Sequence, residues 1–108
     1  MNAASDNRRH ESRQPAAFTV GFRGPGLIRP AAGWMVNLSH DGGAFLVESS
    51  VAPGVGQKIE FDGLAAGGDS AKAAGLPRFA TVVRCDALPG LTRRVAVVFD
   101  QSGLTHVN

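Results

Sequence analysis

The sequence of 108 residues has one cysteine, one tryptophan and no tyrosine, and these scarcities exclude several kinds of structural and functional site. The single cysteine, Cys85, excludes an internal disulfide and a zinc site built on cysteine pairs. No apolar run approaches the roughly 20 residues of a membrane-spanning helix, so we expect no membrane span. Residues 1–7 also lack the apolar core of a secretory signal, and we therefore expect a cytoplasmic protein.

Motifs of the common catalytic sites are missing too. His10, His40 and His106 lie far apart and share no spacing typical of metal ligands. Ser39 has no Gly-x-Ser-x-Gly elbow around it, and the chain has neither a phosphate-binding loop nor a dinucleotide fingerprint. Cys85 lies in an apolar stretch and is expected to be a small core residue rather than a nucleophile. We therefore expect no enzymatic activity, no catalytic residues, no metal and no cofactor.

Lysine is scarce as well, because nine of the eleven basic residues are arginine. A formal net charge of +2 is mildly basic and does not by itself indicate nucleic-acid binding. Arginine offers a planar fork that pairs with phosphates and base edges, so the choice of cation favours a phosphate-bearing ligand. A genome rich in G and C would explain the same preference for arginine.

Glycine and proline are abundant, with 14 and 6 residues, as expected for many turns between short strands. Alternating apolar residues predict strands over 17–23, 33–38, 43–48, 57–61, 78–85 and 93–99, and a short seventh strand could start at Leu27. The low-complexity segment 63–75 predicts a long hairpin loop. We expect an all-β fold, a six-stranded antiparallel barrel, because a small sheet must protect its edges.

The predicted domain covers residues 8–108, after a disordered tail over residues 1–7. Its predicted core consists of large apolar residues of the strands: Phe18, Val20, Phe22, Trp34, Val36, Phe45, Val47, Ile59, Phe61, Val82, Val97 and Phe99.

Two polar segments stand out as candidate binding residues. The first is a cationic arm that carries Arg8, Arg9 and Arg13, although a solvated arm is the ordinary interpretation of a charge run. The second is a turn between two predicted strands, where Asn37 and Ser39 lie two residues apart. In an extended segment this spacing places an amide and a hydroxyl on one face, and the glycines that follow let a ligand approach the backbone. An ordinary Asx or Ser turn would have the same residues.

Together the two segments resemble the PilZ domain, a bacterial receptor of cyclic di-GMP. The family pattern is R-x-x-x-R followed, some twenty to thirty residues later, by D/N-x-S-x-x-G. Arg9 and Arg13 match the first element, and Asn37, Ser39 and Gly42 match the second. The similarity continues through the following strands to about residue 100, and therefore covers nearly the whole chain.

Three details qualify the match. Arg8 supplies the doubled arginine that is frequent in the family. By literal spacing Gly42 is the motif glycine, whereas Gly43 fits that place if the turn is one residue longer. Many members end in a helix packed at the mouth of the barrel, but residues 101–108 leave room for little or no C-terminal helix. The implied fold is therefore a PilZ-like split barrel with a flexible N-terminal arm.

The resemblance implies a mechanism. Arg8, Arg9 and Arg13 would clamp guanine edges and phosphates, while Asn37 and Ser39 would hydrogen-bond the ligand on the barrel surface. Ordering of the arm would change the exposed surface, which a downstream effector protein could recognise. Motility, exopolysaccharide synthesis, biofilm formation and virulence are the processes in which the family acts.

Two other functions are compatible with the sequence. A degenerate PilZ-like adaptor would bind proteins and no nucleotide, but the intact arginine, Asn37 and Ser39 positions favour the receptor. A small barrel that binds single-stranded nucleic acid would need exposed aromatic residues among its cations. We expect no DNA or RNA partner, because most phenylalanines fall at predicted core positions.

Overall fold

The computed structural model describes residues 14–62 and 75–100, and all strands within them join one antiparallel sheet. The sheet closes on itself in the order β1-β2-β3-β6-β5-β4, so the predicted six-stranded antiparallel barrel is confirmed. A single turn of 3-10 helix follows β3 at Ser49–Val51. The strands are β1 (Gln14–Arg23), β2 (Ala31–Leu38), β3 (Gly42–Glu48), β4 (Lys58–Phe61), β5 (Phe79–Ala87) and β6 (Thr92–Phe99).

The seventh strand considered at Leu27 is not formed. The segment between β1 and β2 is a turn, in which the Leu27 N–H donates to the Gly24 carbonyl oxygen at 3.1 Å. Gly26 has a φ of 85°, a left-handed conformation that glycine adopts without steric cost. Four other predictions lie outside the described residues: the disordered tail over 1–7, the flexible arm, the hairpin loop over 63–75 apart from Gly75, and little or no C-terminal helix over 101–108.

Aromatic rings form a chain through the interior of the barrel. The ring centroids of Phe22 and Phe45 are 5.2 Å apart, those of Phe45 and Phe61 are 6.1 Å apart, and those of Phe61 and Phe99 are 6.2 Å apart. Tilted and edge-to-face pairs at such separations stabilise a core by about 0.5–1.5 kcal/mol each beyond the area they bury. Phe45 belongs to two of these pairs and is fully buried, so it lies at the centre of the packing.

The predicted inward face of β2 is wrong. Trp34 is 46% exposed and Val36 is only half-buried, whereas Met35 between them has no exposed surface. Gly33 explains the reversal, because a Cβ atom there would lie 2.8 Å from Cδ2 of the Phe45 ring. The ring fills the space over the inward-facing Gly33, and the next inward residue in an alternating strand is Met35.

All the other residues of the predicted core are buried. The prediction omitted several smaller residues that are also buried. Ala44, Ala80 and Val95 have no exposed surface, although the predicted core did not include them. Cys85 is half-buried and packs against the interior cluster, as expected for a small apolar residue.

The barrel closes through a short seam between β1 and β4. Only two residue pairs form it, Phe22 with Phe61 and Arg23 with Glu60. A backbone hydrogen bond from the Asp62 N–H to the Gly21 carbonyl oxygen, 2.8 Å long, extends the seam. Buried Phe22 and Phe61 therefore hold the two strands together from the inside.

Replacing Met35 and Trp34 tests the orientation of β2. We expect Met35→Ala to lower the free energy of unfolding by about 2–5 kcal/mol, because it leaves a cavity in the interior. Trp34→Ala should cost only about 1 kcal/mol, since about half of that side chain already contacts solvent. Urea unfolding followed by circular dichroism measures both values, and a greater loss for Trp34→Ala would contradict the orientation.

Candidate functional site

The turn between β2 and β3 is closed by Ser39 and Gly42. The Ser39 N–H donates to the Gly42 carbonyl oxygen at 2.8 Å. The Ser39 hydroxyl donates to the same oxygen at 3.2 Å and accepts from the Gly42 N–H, also at 3.2 Å. A serine hydroxyl has one proton and two lone pairs, so one acceptor position remains for a ligand.

A neighbouring strand holds this turn in place. The Phe99 N–H at the end of β6 donates to the Asp41 carbonyl oxygen at 2.8 Å. The following residue, Asp100, donates its N–H to the Phe79 carbonyl oxygen at 2.9 Å, which ties the end of β6 to the start of β5. The turn is thus joined by backbone hydrogen bonds to the strands beside it.

Both glycines after the turn are required by strand packing. A Cβ atom at Gly42 would overlap the carbonyl oxygen of Val97 on β6. At Gly43 a Cβ atom would lie 2.8 Å from the carbonyl oxygen of Asn37. Neither glycine has a positive φ, so close approach, and not a left-handed backbone, explains them. The Gly42 N–H is used within the turn, where it donates to the Ser39 hydroxyl.

Asn37 lies within β2, while Ser39 lies just beyond its end. Asn37 is half-buried and pairs with Pro15 of β1 and Ala44 of β3. The hydroxyl of Ser39 contacts the Gly42 backbone, and Leu38 between the two polar residues packs against the interior cluster. They remain close along the chain, at one end of the barrel.

The predicted arginines Arg8, Arg9 and Arg13 lie outside the described residues. The first described residue of β1 is Gln14, and its register partner is Leu38. The register therefore places Gln14 and Pro15 beside Leu38 and Asn37, next to the turn.

A cleft of about 390 Å³ opens next to the turn. Leu38 and Ser39 line one side, and Leu76, Pro77 and Phe99 are among the other residues that line it. The lining is more apolar than polar and suits the face of a planar ring, while Ser39, His40 and Asp100 supply polar groups.

Residues 14–62 and 75–100 contain no group of three or more histidine, cysteine, aspartate or glutamate side chains that could hold a metal ion. The same residues form no helix with the length and apolar character needed to cross a membrane. Comparison with models of protein families, with curated proteins and with solved structures finds no match to this chain. The functional argument therefore depends on the residues themselves.

Replacing Gly42 tests the packing role of the glycine. We expect Gly42→Ala to lower the free energy of unfolding by about 1–3 kcal/mol, because β3 or β6 must move to admit the methyl group. Gly54→Ala is the matched control, since a Cβ atom there has its nearest contact at 3.7 Å, with Gln57. That variant should stay within about 1 kcal/mol of the wild type. Equal losses in thermal or urea unfolding would contradict the assignment.

Proposed function

We propose that this chain is a receptor of cyclic di-GMP that has no enzymatic activity and acts in the cytoplasm. One observation carries the proposal: at the start of the described part of β1, Gln14 pairs with Leu38 and Pro15 pairs with Asn37. This register supports the meeting of two motifs that are more than twenty residues apart in the sequence. Neither motif specifies a ligand alone, but guanidinium groups beside an amide suit a compound with phosphates and guanine edges.

Each residue of the proposed site has its own role towards the ligand, which follows from its donors, acceptors and charge. Ser39 has used its proton within the turn, so it acts towards the ligand only as an acceptor, for example of a guanine N–H. Asn37 has an amide with both donors and acceptors, which matches the mixed edge of a guanine. Arg8, Arg9 and Arg13 supply the positive charge for the two phosphates. Gly42 and Gly43 keep the turn close to its neighbours and thereby preserve this arrangement.

Signalling would follow from the attachment of the arm to the rigid barrel. A ligand held by both Arg13 and Asn37 would order the chain before Gln14 against the turn. That change in charge and shape would then be recognised by a downstream effector protein.

A second candidate function, binding of single-stranded nucleic acid, gains support from two exposed aromatic residues. Trp34 is 46% exposed on the outside of the barrel, and Phe79 is 40% exposed. The guanidinium carbon of Arg78 lies 5.3 Å from the centroid of the Phe79 ring. Exposed rings beside cations are typical of surfaces that stack bases. The receptor remains our first proposal because it also accounts for Arg9, Arg13 and Asn37.

Calorimetric titration with cyclic di-GMP tests the receptor. We expect micromolar binding to the wild type, and affinity that falls with added salt because phosphate contacts contribute to it. Arg13→Ala should weaken binding by about tenfold or more, as expected for loss of a charge-assisted hydrogen bond. Asn37→Ala should weaken it several-fold. Variants of Ser39 and Gly42 are unsuitable because these residues also close the turn.

Arg29→Ala is the matched control for charge, since Arg29 is exposed in the turn between β1 and β2. It should bind as the wild type does. Circular dichroism establishes that each variant is folded. Absence of binding by the wild type up to millimolar cyclic di-GMP would refute the receptor. A gel shift with an oligonucleotide under the same conditions would then favour the second candidate, and failure of both would leave a protein-binding adaptor.

A further inference from the structure

One outer face of the barrel has the single tryptophan at its centre. Trp34 on β2 pairs with Leu46 on β3, and Leu46 pairs with Arg94 on β6. Glu48 lies two residues after Leu46 on β3. Each of these four residues is next to a residue of the interior cluster in its own strand, so strand alternation directs all four side chains outward. We call the four residues the Trp34 face.

Trp34 projects from a surface of smaller residues. It is 46% exposed, while its partner Leu46 is half-buried. Its partner on β1 is Thr19, and Ala32, two residues before it on β2, is exposed. A large ring that stands above small neighbours is the type of side chain that dominates protein–protein contacts. The Trp34 face therefore offers an apolar anchor to a partner.

Two opposite charges border this anchor, and neither has an ion partner among the described residues. Glu48 is the diagonal neighbour of Arg94 across β3 and β6, at a separation of about 7–8 Å. The Glu48 carboxylate accepts only a hydrogen bond of 3.4 Å from the Ser50 hydroxyl. Asp86, which pairs with Arg94 on β5, instead lies 3.0 Å from Nε of Arg84. One cation and one carboxylate are thus available to a partner on the same face.

We propose that the Trp34 face joins two copies of this chain in a weak two-fold dimer. In a two-fold contact a surface meets itself, so a contact between Arg94 and Glu48 of the second copy occurs twice. With strands about 4.8 Å apart, an axis that exchanges these two positions also places Trp34 over Trp34 and Leu46 of the second copy. Self-association at this face goes beyond the proposed receptor function and is independent of it.

The charges of the Trp34 face favour a second copy over other occupants. A nucleic acid or a strongly acidic protein would meet the like charge of Glu48, whereas a second copy pairs Glu48 and Arg94 together. The face extends over three strand spacings, about 14 Å, and therefore buries on the order of a few hundred Å² per partner. Stable dimers bury about 800 Å² per partner. We therefore expect a weak dimer, with a dissociation constant of about 100 μM.

Sedimentation equilibrium of the full chain, from micromolar to millimolar concentration, tests the dimer. Fluorescence gives a second readout, because Trp34 is the only tryptophan and the chain has no tyrosine. We expect association to shift the emission to shorter wavelengths as the indole leaves water. Glu48→Arg and Arg94→Glu should each weaken association about tenfold or more, because like charges then face each other. An equimolar mixture of these two variants should associate as the wild type does, since every charged contact again joins unlike charges.

Two further variants serve as controls. Trp34→Ala should prevent association, because it removes the anchor. Arg78→Glu changes the net charge as Arg94→Glu does, but Arg78 lies before β5 and outside the Trp34 face, with 72% of its side chain exposed. It should associate as the wild type does. Circular dichroism establishes that each variant is folded, and Glu48→Arg and Trp34→Ala decide the question if Arg94→Glu is not.

Four results would overturn the dimer at this face. The first is a wild type that stays monomeric at millimolar concentration. The second is association that persists in both Glu48→Arg and Trp34→Ala. The third is a mixture of two folded charge variants that does not recover association, and the fourth is equal weakening by Arg78→Glu. An oligonucleotide that changes the emission of a wild type that does not self-associate would assign the face to nucleic acid instead.

Discussion

The close approach of β3 to its neighbours at Gly42 and Gly43 is the constraint on which the rest of this barrel depends. A side chain at Gly42 would overlap the Val97 carbonyl oxygen, and one at Gly43 would crowd the Asn37 carbonyl oxygen. With hydrogen as the only side chain, β3 lies between β2 and β6 in a register that directs Phe45 into the interior. Buried Phe45 then packs against Phe22 and Phe61, which join the two strands of the closing seam.

The same constraint limits what the turn can offer to a ligand. Closing the turn uses the Ser39 proton and the Gly42 N–H, two groups that would otherwise be free to bind. A buried or half-buried polar group left without a partner is costly, so these internal bonds are part of the stability of the hairpin. In the proposed receptor, recognition of the ligand consequently depends mainly on other groups. The amide of Asn37 and the arginines before Gln14 are the groups that the proposed function assigns to this task.

The outside of the barrel has a chemical character that is distinct from the turn. Gly33 admits the Phe45 ring and places Met35 inside, and this leaves Trp34 on the surface. Trp34 on β2 and Val98 on β6 are each 46% exposed. An interior packing requirement on one face of β2 thus determines which apolar side chain is available on the other. A flat ligand would meet a surface shaped by the core beneath it.

The sequence by itself determined the all-β class, the six strands and the two motifs of the proposed site. These features are local: alternation of apolar residues, the turn residues between strands and the short spacing within each motif need no knowledge of distant contacts. The tertiary structure alone decided that Met35 and not Trp34 faces inward, because Gly33 and Phe45 meet only when β2 and β3 pair. It also decided that Gln14 lies beside Leu38 and Pro15 beside Asn37. Strand register depends on pairings between residues far apart in the chain, and no local pattern contains that information.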